Sequence, residues 1–267
     1  MNTRWMPILL VVVTLCALVS GCLPFMWRSP LVGAGPAREE TRSFTGLRGV
    51  ELATIGELTI ALGDREELRI SAAQRVLDNL DVRVKDGVLR IGMRPNVNLR
   101  NPGSVRYALT VKALDTIVLS SVGGATAPDL TSQHLALLLY STGSLRTGRL
   151  DCTTAEIRVS STGSVEVASL HADRLEATLG STGRVAINGG KVREQDVALR
   201  STGDYEARNL ASQTARMRLT SVGSATIRVS DYLDATLTSV GHLRYIGLPR
   251  ISLMATSTGR ITQLREQ

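Results

Sequence analysis

From residue 113 onward, apolar and polar positions alternate in blocks that line up on a repeated Ser-Thr-Gly or Ser-Val-Gly triplet. The triplet glycines are Gly123, Gly143, Gly163, Gly183, Gly203, Gly223, Gly241 and Gly259, with successive spacings of 20, 20, 20, 20, 20, 18 and 18 residues. Four residues before them stand Leu119, Leu139, Val159, Leu179, Leu199, Leu219, Leu237 and Ala255. Six before them stand Ile117, Leu137, Ile157, Ala177, Val197, Met217, Ala235 and Leu253. Residues two apart share one side of a strand, so these columns, together with the serine two before each glycine, form one inward-facing stripe. A second alternation follows the glycine, as in Val165 and Val167 or Val185 and Ile187, and a leucine recurs seven residues past it at Leu130, Leu150, Leu170, Leu210 and Leu248, a column broken by Gly190 and Ser230.

A period near 20 residues containing two or three short strands is one turn of a solenoid. The pattern therefore predicts an all-β chain, a parallel β-helix (β-solenoid) with about 20-residue turns, in which each strand pairs with its equivalent in the next turn about 4.8 Å away. The turn glycines are expected at positive φ, where only glycine bends without steric cost. The serines Ser121, Ser141, Ser161, Ser181, Ser201, Ser221, Ser239 and Ser257 are expected to form a structural ladder of buried hydroxyls, bonded to one another or to the turn backbone. Eight equivalent serines cannot all be nucleophiles, and the histidine arrangement of a triad is missing.

Residues 44–112 alternate as strands too, in Leu58-Thr59-Ile60, Leu68-Arg69-Ile70, Leu80-Asp81-Val82 and Leu89-Arg90-Ile91, with Asp86-Gly87 as a tight turn. They lack the triplet, which makes them either an irregular N-terminal β segment of the solenoid or a cap on its first turn; the β-helix repeats are placed at 113–267. Residues 23–43 carry Pro24, Pro30 and Pro36 among small and charged residues, and read as a flexible tether. Residues 1–22 hold Arg4, an apolar run and then Val19-Ser20-Gly21-Cys22, the pattern of a lipoprotein signal peptide with a lipobox. Cys22 is the expected lipidation site, with the protein held to a bacterial membrane by a lipid anchor on its extracytoplasmic side. Export removes nucleic acid from the expected partners.

Leu58-Thr59-Ile60, Asp86-Gly87-Val88-Leu89-Arg90-Ile91, Leu109-Thr110-Val111 and the repeated small-residue turns ending in glycine follow one another in an order that resembles the putative auto-transporter adhesin, head GIN domain family of bacterial exported proteins and lipoproteins. The resemblance covers roughly residues 44–267. It implies a β-solenoid, export and surface contact, and it brings no catalytic motif. Many members use Ser-Gly-Ser-Gly-like turns where this chain has Ser-Thr-Gly or Ser-Val-Gly.

Composition narrows the chemistry. Of 267 residues 43% are hydrophobic and 3% aromatic, enough for a core but too few aromatics for a stacking platform. The three cysteines, Cys16, Cys22 and Cys152, make no disulfide scaffold, and no Cys/His group has metal-ligand spacing, so no cofactor is expected. Cys152 reads as a small core residue. The formal charge is +7, and all but Lys85, Lys112 and Lys191 of the 31 basic residues are arginine, which grips carboxylate and phosphate bidentately. Arg146, Arg184, Arg244 and Arg260 are candidates for a surface that holds an acidic glycan, lipid headgroups or another envelope component.

Seven residues before the glycines, Glu156, Glu176 and Asp196 should stack on successive turns, a like-charge ladder that needs compensation. Arg158 and Arg216 could supply it; a bound cation or an acid/base pair is the other possibility. The histidines His134, His171 and His242 fall in different columns, and only His242 lies near a triplet. The expected function is a non-catalytic, lipid-anchored cell-envelope protein that presents a repetitive β-helix surface for adhesion or binding. The alternatives are a carbohydrate-active β-helix enzyme centred on the acidic ladder, and a structural rod that self-associates end to end through its last turn, Ile251 to Gln267.

Overall fold

The computed structural model describes residues 31–32, 35–97, 99–100, 102–256 and 258–265. The signal peptide, the lipobox with Cys22, residues 23–30, 33 and 34 of the tether, and Ser257 lie outside the described residues. From Leu31 onward the chain is one unit built from strands, with a single short helix, Gln74–Leu77, among the described residues.

The period of two and the period of about 20 together produce three parallel ladders. On the first, residues 116–119 pair in register with 136–139, then with 156–159, 176–179, 196–199, 216–219, 234–237 and 252–255. On the second, residues just past each glycine pair from 124–127 through 144–147 to 260–264. The third joins 130–132, 150–152, 170–172 and 190–192. Inside, the columns read from the sequence are closed to solvent: Leu119, Leu139, Val159, Leu179, Leu199 and Leu219 are all fully buried. Each contributes roughly 1.5–3 kcal/mol, so stacked aliphatic columns can carry the fold without a metal or ligand.

Residues 44–112 are both of the things their pattern allowed. Strand Gly49–Ala53 pairs in parallel with 116–119, and Gly56–Leu62 pairs with 123–126, placing Gly56 beside Gly123. Residues 49–62 thus form a coil that supplies rungs to the first and second ladders, with Thr54-Ile55-Gly56 in the place of the triplet. The chain then leaves the stack and returns outside that coil: Val88–Met93 pairs in parallel with Gly49–Ala53, and Arg106–Val111 with Gly56–Leu62. The excursion forms the cap. Leu80–Lys85 runs antiparallel to Val88–Met93 through Asp86 and Gly87, whose φ angles of 52° and 75° are those of a type I′ hairpin turn. Glu66–Ala73 runs antiparallel to Arg106–Val111 and ends the parallel stack on that side.

Two expectations are corrected by the structure. The tether does not reach residue 43, because Ala37–Phe44 is a strand paired antiparallel with Glu66–Ala73, Ala37 opposite Ala73 and Phe44 opposite Glu66. It is an edge strand rich in charge, Arg38, Glu39, Glu40 and Arg42, so it carries no apolar alternation to read; such charge is what blunts an exposed edge.

The triplet glycines, moreover, are not at positive φ. Among the described glycines that conformation belongs to Gly46, Gly56, Gly87, Gly103, Gly190 and Gly247. What requires glycine in the triplet is the next coil. A Cβ on Gly203 would sit 3.0 Å from the carbonyl oxygens of both Gly183 and Ser181, and one on Gly163 would lie 2.6 and 2.7 Å from those of Gly143 and Ser141. The coils are held at that spacing by hydrogen bonds on both sides of the turn: Ser160 N–H donates to Leu139 O (2.9 Å) and Ser164 N–H to Gly143 O (3.1 Å).

Candidate functional site

The acidic ladder forms as its spacing predicts, with Glu156 beside Glu176 and Glu176 beside Asp196 on the outer side of the first ladder. Arginines neutralise it rung by rung. Arg158 donates to Glu156 (2.7 Å) and Arg174 to Glu176 (2.7 Å), while Arg174 also reaches Glu194 (3.0 Å). Asp196, the least exposed of the three, accepts from Arg218 at 2.6 Å and lies 3.8 Å from Arg174 and 4.0 Å from Arg216. Arg174 and Arg218 therefore join Arg158 and Arg216 in compensating the ladder. The carboxylates beside Arg174 hold its guanidinium above its ordinary pKa, the hydrogen bond it donates to Glu176 being the largest cause. Among the described residues no three His, Cys, Asp or Glu side chains converge as a metal site.

The serine column is half-buried rather than sealed, and among its described members no hydroxyl hydrogen-bonds to the protein; the carbonyls of Ser141, Ser161 and Ser181 pack against the glycines of the following coil instead. His134 lies 3.9 Å from Glu156 and His171 3.7 Å from Asp151, both away from that column, and His242 is exposed beside Arg260. Burial, helped by the neighbouring Asp151 carboxylate, pushes the half-buried Cys152 thiol up to about 11, which leaves it protonated and weakly nucleophilic at neutral pH.

The four candidate arginines do not form one patch. Arg146 and Arg244 share a column, but Glu166, Ala186, Glu206 and Thr226 stand between them, a separation of about 24 Å at the strand spacing. Arg146 pairs with Glu166 (3.4 Å) and Arg184 with Asp204 (3.9 Å), so these two are balanced within the surface. Arg244 and Arg260 belong to the last coils, where the balance ends: from Thr238 to Arg265 the chain holds four arginines and no carboxylate.

A groove opens at the same end, on the third side of the solenoid, with a volume of about 930 Å3. It follows from the shortening of the repeat. Ala207 pairs with Ile227 but Ala211 with Arg228, so Arg208, Asn209 and Leu210 have no counterpart in the next coil. An 18-residue coil has less chain for its third side than a 20-residue one, and the resulting step is the groove. Lys191 and Gln213 stand on the wide side, Ser230 and Leu248 on the narrow side, and Gln263 and Arg265 at the end.

Its floor is tied into the core by a chain of polar groups. Gln195 takes a position in an otherwise apolar buried column and is fully buried; its amide donates to Ser212 Oγ at 2.7 Å and its carbonyl accepts from Tyr205 at 3.2 Å. Ser212 in turn donates to the Arg228 carbonyl at 2.7 Å. The sequence holds two signals for this site that motif reading passes over: the change of spacing from 20 to 18 and the acid-free stretch that follows it.

Comparison with known proteins agrees with this architecture. The family described as "Putative auto-transporter adhesin, head GIN domain" matches residues 46–249. Among solved structures, a putative lipid binding protein from Parabacteroides distasonis superposes with a TM-score of 0.80 at 18% identity, over 88% of this chain and 99% of its own. A putative adhesin from Parabacteroides merdae superposes with a TM-score of 0.76 at 19% identity, over 88% of this chain and 98% of its own. At such identities the likeness is one of fold. Among curated proteins none matches the chain.

Proposed function

The chain belongs to the putative auto-transporter adhesin, head GIN domain family, and from that premise we propose that it is a non-catalytic, extracytoplasmic protein of the cell envelope, held to a membrane by lipid on Cys22, whose solenoid surface binds an acidic glycan. The observation that carries this reading is the segregation of charge. Along the central coils arginines and carboxylates alternate and pair, whereas the last coils expose Arg244, Arg250, Arg260 and Arg265 without an acid between Thr238 and Arg265. An unbalanced basic surface raises the local concentration of anions, and a guanidinium matches the two oxygens of a uronate carboxylate with a pair of parallel hydrogen bonds. The arginine-locked ladder of Glu156, Glu176 and Asp196 supports binding over hydrolysis, since a glycosidase needs one carboxyl free to donate a proton.

Size-exclusion chromatography of the full chain in detergent with a panel of acidic and neutral envelope polysaccharides tests both halves of this reading. Co-elution with the acidic polymers at unchanged polymer length is expected. Absence of co-elution would overturn binding, and shortened polymers would overturn the non-catalytic reading. Replacing Glu156, Glu176 and Asp196 together by alanine should leave glycan binding in place. For the anchor, Cys22→Ser should move the protein from the detergent phase to the aqueous phase on phase separation, and an unchanged partition would remove the lipid from the account.

A second reading rests on strand Arg250–Ala255, the last rung of the first ladder. Ile251 and Leu253 continue core columns yet are 42% and 46% exposed, Met254 beside them continues an outward column and is 63% exposed, and the outer edge of the strand pairs with no strand among the described residues. A second copy laid on that rung would cover them. Because the other end is capped by antiparallel strands, such contact closes as a dimer rather than growing as a rod.

A further inference from the structure

The glycan-binding reading above leaves open where on the surface the ligand sits, and the groove at the 20-to-18 step answers that question. We propose that this groove is an oligosaccharide subsite for acidic sugars, with Lys191 and Arg265 as the groups that meet the anionic substituents and Gln213 and Gln263 as partners for ring hydroxyls.

The argument begins with size and shape. A cleft of about 930 Å3 lies within the range of small-ligand sites, roughly 300–1,000 Å3. It lies in the seam where one coil is shorter than the one before it.

Charge comes next. Lys191 and Arg265 are exposed and take part in no ion pair among the described residues, and the carboxylate on the rim, Asp231, already accepts from Ser230 at 2.5 Å. Arg228 adds its positive charge to the wall while its Nε donates to the Arg208 carbonyl at 3.2 Å, which holds it in place. The lining thus offers cations to an anion, and side-chain amides and hydroxyls to a polyol. An acyl chain would have no use for Gln213, Ser230 and Gln263, and this favours a sugar over a lipid. The Gln263 amide is already aimed, donating to the Gly247 carbonyl at 2.8 Å and leaving its own carbonyl as an acceptor.

Rigidity completes the case. The Tyr205–Gln195–Ser212–Arg228 chain of hydrogen bonds spends a fully buried glutamine on fixing the backbone under the groove, where the equivalent positions in other coils are Leu175, Ala215 and Leu233. A preformed floor lowers the ordering cost of binding. Gly247, at φ 117°, lies so near Val229 that a side chain there would collide with its carbonyl, and it lets the short coil pass close under Leu248.

The test is calorimetric titration of the full chain in detergent with trigalacturonate, with maltotriose as the neutral probe. Trigalacturonate should bind and maltotriose should not. The variant Lys191→Glu/Arg265→Glu should weaken binding at least about tenfold, the loss of roughly one charge-assisted contact. Gln213→Trp, which fills the groove without changing charge, should abolish it. Both substitutions replace exposed side chains, and Arg83→Glu in the cap serves as a charge control that should leave affinity unchanged. Equal affinity in all variants would overturn the groove while leaving glycan binding elsewhere on the surface intact. Binding to phosphatidylglycerol vesicles without binding to trigalacturonate would overturn the sugar in favour of a lipid headgroup. If acidic polysaccharides also fail to co-elute in the earlier experiment, the functional reading itself falls with the groove.

Discussion

At Gly183 a Cβ would lie 2.8 Å from the Ser161 carbonyl and 3.0 Å from that of Gly163, with a Val159 methyl nearer still. Gly183→Ala should therefore cost about 1–3 kcal/mol, as overpacking between coils, and a chemical denaturation curve would show it. The size of the penalty should follow the bulk of the new side chain: Asn, which tolerates positive φ, should gain nothing over Ala, because φ is not the constraint. The glycine was legible in the sequence as a period but not as a cause, since spacing reveals that a small residue recurs and not which atom forbids a larger one. The Cys152 thiol, pushed up to about 11 by burial first and Asp151 second, makes a separate prediction. Its alkylation by iodoacetamide should be slow at pH 8 and accelerate up to about pH 11, where an exposed cysteine would already have levelled off near its ordinary value of about 8.5.

At the scale of the strand and its ladder, Gln195 is the exception in a column of aliphatic residues. Gln195→Leu should restore the apolar column yet destabilise the protein by about 1–3 kcal/mol, because the Tyr205 hydroxyl loses its acceptor and the Ser212 hydroxyl its donor. Adding Tyr205→Phe and Ser212→Ala should recover most of that loss in thermal unfolding; failure to recover would mean that the glutamine acts by packing alone. Burial also explains which elements were legible. The repeat strands announce themselves because both their inward columns are aliphatic, and the Asp86-Gly87 hairpin because its turn demands those residues. Strand Ala37–Phe44 did not, since an edge strand is covered on one side only and this one fills its positions with charge. The coil at 49–62 was hidden by Thr54-Ile55-Gly56 standing where a serine triplet was sought.

At the scale of the whole molecule the two ends differ in kind. One is closed by the antiparallel strands Glu66–Ala73 and Leu80–Lys85, and the other presents Arg250–Ala255 with its apolar side chains in solvent. If the open end covers itself with a second copy, sedimentation velocity should show a monomer–dimer equilibrium that stops at two, and Leu253→Lys/Met254→Lys should hold the protein as a monomer. A ladder of higher species would mean that the cap does not block growth. The candidate ligand site was legible only in part: the acidic column was read in its correct register with Arg158 and Arg216, but two further partners, Arg174 and Arg218, come from other columns, and the groove arises from residues that are missing from a coil rather than from any motif.

The coil at 49–62 has a bearing on how the molecule assembles. Every regular coil finds its neighbour one period away along the chain, so those coils can add to each other in sequence, each closing a short loop. Gly49, in contrast, lies between Val88 and Thr116, two to three periods further on, and can settle only after the chain has gone out and come back. Contacts of longer range form more slowly. Refolding should then begin in the repeats and finish at the capped end, with the amides of Gly49–Ala53 among the last to resist exchange in a pulse-labelling experiment. A segment near the start of the chain would be a late arrival, pressed into a slot that residues translated after it must first build.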